Sequence, residues 1–250
     1  MNIVMTGLAG AGKSQLTCTL GEWLKEDKGF EVCYVNLDAG AEWLPYKPDV
    51  DVRGYVRVDR IMREMSLGIN GAIIAAADMA AQHLDEIASK ISAFDPEFVL
   101  VDSPGQYEIF VFRESGPKTA QALQKLGKTV ALNVIDAELA SSPSALLTAL
   151  ELSTASNLRL GVTTINVVNK ADLGGAERVK SMLSDPKLMR EEVERERGGA
   201  ITDLALGLLE HMERVMSVQR PVLVSALKGD GIEDLYKAVN EAMCACGDLT

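Results

Sequence analysis

Basic residues are scarce in this 250-residue chain: 25 Lys and Arg stand against 36 Asp and Glu, a net charge of −11. With no run of Lys or Arg, that balance argues against a sequence-independent nucleic-acid binder, which needs a basic face. Long apolar runs are missing too. Residues 71–77 come closest and Asp78 ends them, well short of the roughly 18 residues a membrane span needs. The first apolar stretch starts at Asn2 and runs straight into a glycine-rich loop. That leaves no room for a signal peptide, so a cytoplasmic protein is expected. Cysteine is sparse. Cys18 and Cys33 fall in a predicted helix and strand, where small buried thiols are common. Cys244 and Cys246 form a C-x-C too tight for an ordinary disulfide. Only two histidines occur, His83 and His211, both in predicted helices. Few ligands remain for a closed tetrahedral metal site. No repeat, low-complexity tract or linker marks a second domain.

What the chain does have is apolar content. It is 47% hydrophobic and 24% charged, ordinary for a soluble protein with a large core. Its length suits one α/β domain over residues 1–250. That domain is organised around Gly7-Leu8-Ala9-Gly10-Ala11-Gly12-Lys13-Ser14, which fits G-x-x-x-x-G-K-[ST]. The apolar run Ile3-Val4-Met5 precedes it, and an amphipathic run over 15–24 follows. In that context backbone N–H groups turn inward and wrap a phosphate, and the helix N-terminus adds its partial positive charge. Gly7, Gly10, Ala11, Gly12, Lys13, Ser14 and Gln15 are the expected contacts. Lys13 would reach the β/γ-phosphates and the Ser14 hydroxyl would hold Mg²⁺. The alternative is a plain glycine-rich turn.

Residues 31–36 read as a second buried strand, ending at Leu37-Asp38-Ala39-Gly40. With the preceding helix it makes a βαβ unit and a parallel sheet. Asp38 lies at a strand's C-terminal end, where open α/β sheets bind ligands, so it is a candidate for Mg²⁺ or its waters. A turn or N-cap aspartate explains it equally well. Residues 45–95 are then an excursion too long for a simple crossover. An irregular segment with Pro45 and Pro48 runs to Arg53. A short helix is expected at 58–65, a loop at 66–71 and one long helix near 72–94.

Phe98-Val99-Leu100-Val101 is the third strand, closed by Asp102-Ser103-Pro104-Gly105-Gln106. Asp102 can bind Mg²⁺ through a water, the Gly105 N–H can sense a γ-phosphate, and Gln106 sits where nucleotide switches orient attacking water. Glu108 is in reach of the same region. Strands at 129–135 and 162–168 flank a helix at 144–158, and the second ends in Asn169-Lys170-Ala171-Asp172. The Asp172 carboxylate can accept hydrogen bonds from guanine N1–H and the 2-amino group. Adenine offers neither and would leave a carboxylate unpaired at a cost. Lys170 would lie over the base, and Asn169 would tie its loop to the phosphate loop. A polar strand-to-helix turn is the alternative. Residues 177–199 mix both charges densely and read as a solvated helical excursion. A helix at 201–216 leads to a sixth strand at 221–224, ending in Ser225-Ala226. Guanine-binding folds place Ser-Ala-Lys there, with a backbone N–H meeting guanine O6. Here Leu227 replaces the lysine and Lys228 follows. A last helix at 232–245 packs back.

Four nucleotide motifs stand in order, each after a predicted strand. They specify a three-layer α/β P-loop NTPase fold, with a mostly parallel sheet, helices on both faces and a helical insertion at 45–95. Across nearly its full length the chain also resembles the GPN-loop GTPases of archaea and eukaryotes. Tyr34-Val35-Asn36-Leu37-Asp38, Leu44-Pro45-Tyr46, Asp51-Val52-Arg53, Ile61-Met62-Arg63-Glu64, Gly71-Ala72-Ile73, Asp102 to Gln106 and the tail Cys244 to Thr250 carry the resemblance. Gly68-Ile69-Asn70 occupies the place of the Gly-Pro-Asn loop, which restores a backbone N–H at position 69. The resemblance implies GTP and GDP as ligands, Mg²⁺ held by Ser14, Asp102 and Asp38, and slow hydrolysis. Asp38, Gln106 and Glu108 would orient the attacking water. It also implies a homodimer in which Asn70 approaches the partner's γ-phosphate or product phosphate. Arg53 and Arg63 are arginine-finger candidates only by their place in the excursion, and surface salt bridges explain them equally well.

The implied role is a nucleotide-controlled switch in the assembly of a larger protein complex, such as RNA polymerase. The alternative is a metallochaperone-type GTPase, with Cys244 and Cys246 as soft-metal ligands. A partitioning-type ATPase would carry a second lysine early in the phosphate loop, where Leu8-Ala9 stand. A small-molecule kinase leaves Asn169 to Asp172 unexplained. Neither a membrane nor a nucleic acid is an expected partner.

Overall fold

A computed structural model describes residues 1–196, 198–216 and 221–245. The chain starts with β1 (Asn2–Thr6), the phosphate-loop segment, α1 (Lys13–Glu26) and β2 (Val32–Asn36). The excursion adds β3 (Val50–Asp51), α2 (Val58–Glu64), α3 (Ile69–Ala80) and α4 (Leu84–Ala93). Then follow β4 (Phe98–Asp102), α5 (Tyr107–Phe112), α6 (Ser115–Leu126), β5 (Thr129–Asp136), α7 (Pro143–Leu160) and β6 (Thr163–Asn169). The chain closes with α8 (Gly175–Ser184), α9 (Pro186–Glu196), α10 (Ala200–Met216), β7 (Val222–Leu223) and α11 (Ile232–Ala245).

The seven strands form one sheet in the order β3-β2-β4-β1-β5-β6-β7, and every pairing is parallel. The central strands are continuous apolar runs because both faces of a parallel sheet are covered. Successive side chains alternate between those faces. Ile3 and Met5 of β1 pack with Leu16, Leu20 and Leu24 of α1 and with Leu235 and Val239 of α11. Val4 points the other way, with Val99 and Val101, into a cluster that includes Ile87 and Ile91 of α4 and Phe110 of α5. The result is the expected three-layer α/β/α architecture. Since the nucleotide motifs all follow strands, the parallel order brings them to one edge of the sheet.

The excursion departs from expectation in three places. The segment expected to be irregular contributes β3, an edge strand pairing Val50 and Asp51 with Val35 and Asn36. Gly68-Ile69-Asn70 is not wholly loop: Gly68 precedes α3, and Ile69 and Asn70 begin its first turn. The long helix expected near 72–94 is two helices, separated by a 3-10 turn at Ala81–His83. The break coincides with His83, whose ring stacks on Tyr55 at 4.8 Å.

A fourth departure lies at 177–199. Rather than a solvated face, α8 and α9 bury Val179, Met182, Met189 and Val193 against Leu146, Leu147 and Leu150 of α7 and Leu209 and Met212 of α10. Apolar residues three or four apart give each helix a stripe that its many charges conceal. No helix among the described residues is long and apolar enough to cross a membrane.

Candidate functional site

β1 delivers the phosphate loop to the C-terminal end of the central strands, and packing dictates its glycines. A Cβ on Gly7 would lie 2.3 Å from the Val134 carbonyl oxygen, and one on Gly12 would lie 2.3 Å from Asn169 Nδ2. Both residues have positive φ, 134° and 92°, which favours glycine. Lys13 opens α1 and folds its Nζ back onto the carbonyls of Gly7 (2.9 Å) and Leu8 (3.1 Å). Burial lowers its pKa, while Asp102 and Asp38 pull the other way. Ser14 and Gln15 follow in the first turn. Gln15 Nε2 donates to Thr19 Oγ1 at 3.3 Å.

Asp102 ends β4 beside Met5 of β1 and Asn36 of β2. It is 1% exposed. Burial pushes its carboxyl up to about 6, against the Ser14 and Tyr46 hydroxyls and the Lys13 ammonium. Its Oδ2 accepts from the Tyr46 hydroxyl at 3.0 Å, and its Oδ1 is buried with no hydrogen-bond partner. An orphaned carboxylate oxygen near a serine hydroxyl is a hard-oxygen donor set of the kind Mg²⁺ takes with substrate phosphates. The residues therefore fit the ion. No cluster of three or more His, Cys, Asp or Glu residues suited to a metal occurs among the described residues. Cys244 is exposed, and Cys246 lies outside the described residues.

Asp38 follows β2. Its carboxylate accepts from the Gly40 N–H at 2.8 Å and from the Gly105 N–H at 3.3 Å. The amide expected to meet a γ-phosphate is thus held by a carboxylate of the same chain. A network braces Asp38 from behind. Asn36 Oδ1 accepts its N–H at 3.0 Å, and Asn36 Nδ2 donates to Asp51 Oδ1 at 2.9 Å. Arg53 grips both Asp51 oxygens and donates to the Ala41 carbonyl at 2.9 Å. Arg53 is therefore an internal brace rather than a free finger. Arg63 pairs with Asp59 of its own helix at 3.3 Å on the surface. Gln106 is partly buried just before α5, while Glu108 is exposed on that helix. Asn70 is exposed, and no hydrogen bond among the described residues ties it to the phosphate loop.

The other end of the site is a clamp. Asn169 ends β6 and is 2% exposed. Its Nδ2 donates to the Ala11 carbonyl at 2.8 Å and its Oδ1 accepts the Ala226 N–H at 3.0 Å. One side chain thereby joins the phosphate loop to the turn after β7. In the Ser225-Ala226 turn, where a backbone N–H is expected to meet guanine O6, the Ala226 N–H is engaged by Asn169. Thr19 Oγ1 adds a bond to the Ala226 carbonyl at 2.6 Å. Lys170 has φ +65° and reaches Asp136 Oδ2 at 2.6 Å. Asp172 Oδ1 accepts from Ser225 Oγ at 2.6 Å, a bond that lowers its pKa. Sequence reasoning missed Tyr46, Asp51 and Thr19 as parts of this site. Leu44-Pro45-Tyr46 and Asp51-Val52-Arg53 carried a signal, and it lay in the resemblance; Thr19 carried none.

Comparison with known proteins gives a consistent picture. A family model described as a conserved hypothetical ATP binding protein matches residues 5–245. A GPN-loop GTPase of Pyrococcus abyssi is 35% identical over 257 aligned residues covering 100% of both chains. A GPN-loop GTPase of Arabidopsis thaliana is 28% identical over 94% of this chain and 62% of its own length, so the chain spans about three fifths of that relative. The crystal structure of the Pyrococcus abyssi protein, a GTPase in apo form, is 33% identical with a TM-score of 0.86, covering 98% of each chain.

Proposed function

The chain belongs to the GPN-loop GTPase family, and on that premise we propose that it binds GTP with Mg²⁺ and hydrolyses it to GDP and phosphate as a homodimeric switch. The observation that carries the choice of nucleotide is the clamp of Asn169 on Ala11 and Ala226, with Asp172 held beside it by Ser225. It ties the segment that carries Asp172 to the phosphate loop. A carboxylate there pairs with the N1–H and 2-amino group of guanine and rejects adenine. This favours GTP over the ATP named in the family model's description.

On binding, Lys13 exchanges the carbonyls of Gly7 and Leu8 for the β/γ-phosphates. The Gly105 N–H exchanges Asp38 for a γ-phosphate oxygen, which frees Asp38 Oδ2. Ser14 and, through a water, Asp102 would hold Mg²⁺, which offsets the charge developing on the phosphates. Asp38, Gln106 and Glu108 orient the attacking water. Its oxygen bonds to the γ-phosphorus as the bond to the bridging oxygen breaks and GDP leaves. Asn70, exposed at the start of α3, is the residue offered to a second copy of the chain. The resulting change of shape with nucleotide would serve the assembly of a larger protein complex.

Two measurements test this. Product chromatography should show GDP from GTP, little ADP from ATP, and neither in EDTA. Mass in solution should report a dimer with a non-hydrolysable GTP analogue. Equal turnover of ATP, or a monomer in every nucleotide state, contradicts the reading.

A further inference from the structure

We propose that Tyr46 is a positioning residue for Mg²⁺, holding Asp102 so that one carboxylate oxygen stays available to the ion's coordination shell. The inference rests on the nucleotide reading above and adds to it a residue outside the four motifs. The two oxygens of Asp102 differ. Tyr46 donates to Oδ2 at 3.0 Å, whereas Oδ1 is buried without a partner. Leaving a buried carboxylate oxygen unmatched is costly, and a neighbour that satisfies only one of the two fixes which oxygen is left.

Tyr46 is itself pinned. The residue is 9% exposed, and its ring stacks on Tyr34, with centroids 5.2 Å apart and planes at 23°. Tyr34 is confined in turn. Gly21 of α1 approaches so closely that a Cβ there would lie 2.4 Å from the ring. The Lys25 ammonium sits 4.3 Å from its centroid. Asp49 ties down both main-chain groups of Tyr34, each at 2.8 Å. On the other side of Tyr46, Cys18 Sγ donates to the Pro45 carbonyl at 3.3 Å. The hydroxyl is thus anchored through residues 45–49 to α1 and β2, and a phenol so held offers its proton to Oδ2 alone. The first segment of the excursion thereby takes part in the metal site.

The test is release of a fluorescent GDP analogue from the full chain, timed in excess Mg²⁺ and in excess EDTA. Tyr46→Phe keeps the ring and its stack and deletes the hydroxyl. The two chains should release the analogue at the same rate in EDTA. In Mg²⁺ the variant should release about tenfold faster and need about tenfold more Mg²⁺ to slow release, as expected for one lost hydrogen bond to a charged group. In an Asp102→Asn background, Tyr46→Phe should add nothing. An equal acceleration in EDTA would show a merely structural role and overturn the proposal. So would an unchanged Mg²⁺ response, or a full effect persisting in the Asp102→Asn background. If wild-type release ignores Mg²⁺, the metal reading fails together with this proposal. If only the variant fails to differ, the reading stands and Tyr46 drops out.

Discussion

Replacing Asn169 with alanine should destabilise the chain before any nucleotide is added. The side chain is buried and makes two bonds, to the Ala11 carbonyl at 2.8 Å and from the Ala226 N–H at 3.0 Å. Asn169→Ala leaves both backbone groups buried and unmatched. At about 1–3 kcal/mol each, the loss is roughly 2–6 kcal/mol. For a chain of this size, at about 2–4 °C per kcal/mol, that lowers the melting temperature by about 4–24 °C. Thermal unfolding of nucleotide-free protein measures it without reference to base recognition. Gly12 supplies an internal control, since a Cβ there would sit 2.3 Å from Asn169 Nδ2. Gly12→Ala should destabilise alone, and part of its cost should vanish in the double variant, where the clashing amide is gone. Residues in contact show such coupling, and distant ones add. A melting temperature for Asn169→Ala within a degree of wild type would refute the clamp, as would strict additivity with Gly12→Ala.

Three further outcomes are expected. Folded Asp102 titrates near 6 rather than 3.8, so the native chain binds more protons than the unfolded one between those values. Stability should therefore fall as pH rises through that window, with a penalty of about 3 kcal/mol complete above it. Asp102→Asn removes the titration, so its melting temperature relative to wild type should climb between pH 4 and 7; a constant difference contradicts the assignment. Asp172→Asn should weaken GTP and favour xanthosine triphosphate, whose 2-oxo group accepts from an amide N–H, with preference swinging about a hundredfold in competition binding. Gln106→Ala and Glu108→Ala should keep GTP binding but slow single-turnover hydrolysis, and wild-type rates would remove both from the mechanism.

What the sequence made legible follows from how local each signal is. The phosphate loop, Asp102 to Gln106 and Asn169 to Asp172 are short strings with fixed spacing. Each sits after a strand that reads as an unbroken apolar run because both sheet faces are covered. Less visible were features made by pairing across distance. β3 is two residues long, and backbone pairing to Val35 and Asn36 defines it rather than any apolar run. The Tyr46–Asp102 bond joins residues 56 apart, and the Asp38–Gly105 bond spans 67. No window of sequence contains either pair. The buried stripes of α8 and α9 were hidden for another reason, since charge density over 177–199 outweighed four apolar positions whose spacing was the true signal. Arg53 shows the converse: its place in the chain suggested a finger and an ion pair equally, and only the fold shows the ion pair, with Nε and Nη2 on Asp51 and Nη1 on the Ala41 carbonyl.

The two ends of the site are built on different terms. At the base end, Asn169, Ser225 and Thr19 bond to other parts of the chain, and those bonds form with no purine present. At the phosphate end, the donors themselves are occupied. Lys13 Nζ rests on two loop carbonyls, and the Gly105 N–H rests on Asp38. A nucleotide must replace these bonds one for one, so their number adds little to its affinity. The gain comes from charge, because phosphate oxygens are stronger acceptors than neutral carbonyls. For Lys13 that advantage is shared by any nucleotide that carries a β-phosphate. For Gly105 the competitor is already a carboxylate, and on the proposed reading a γ-phosphate would have to displace it. Its 3.3 Å bond is long for an N–H···O contact, hence weak and readily given up. On the proposed reading, discrimination between di- and triphosphate would concentrate on one amide, where a carboxylate and a phosphate would compete for the same proton.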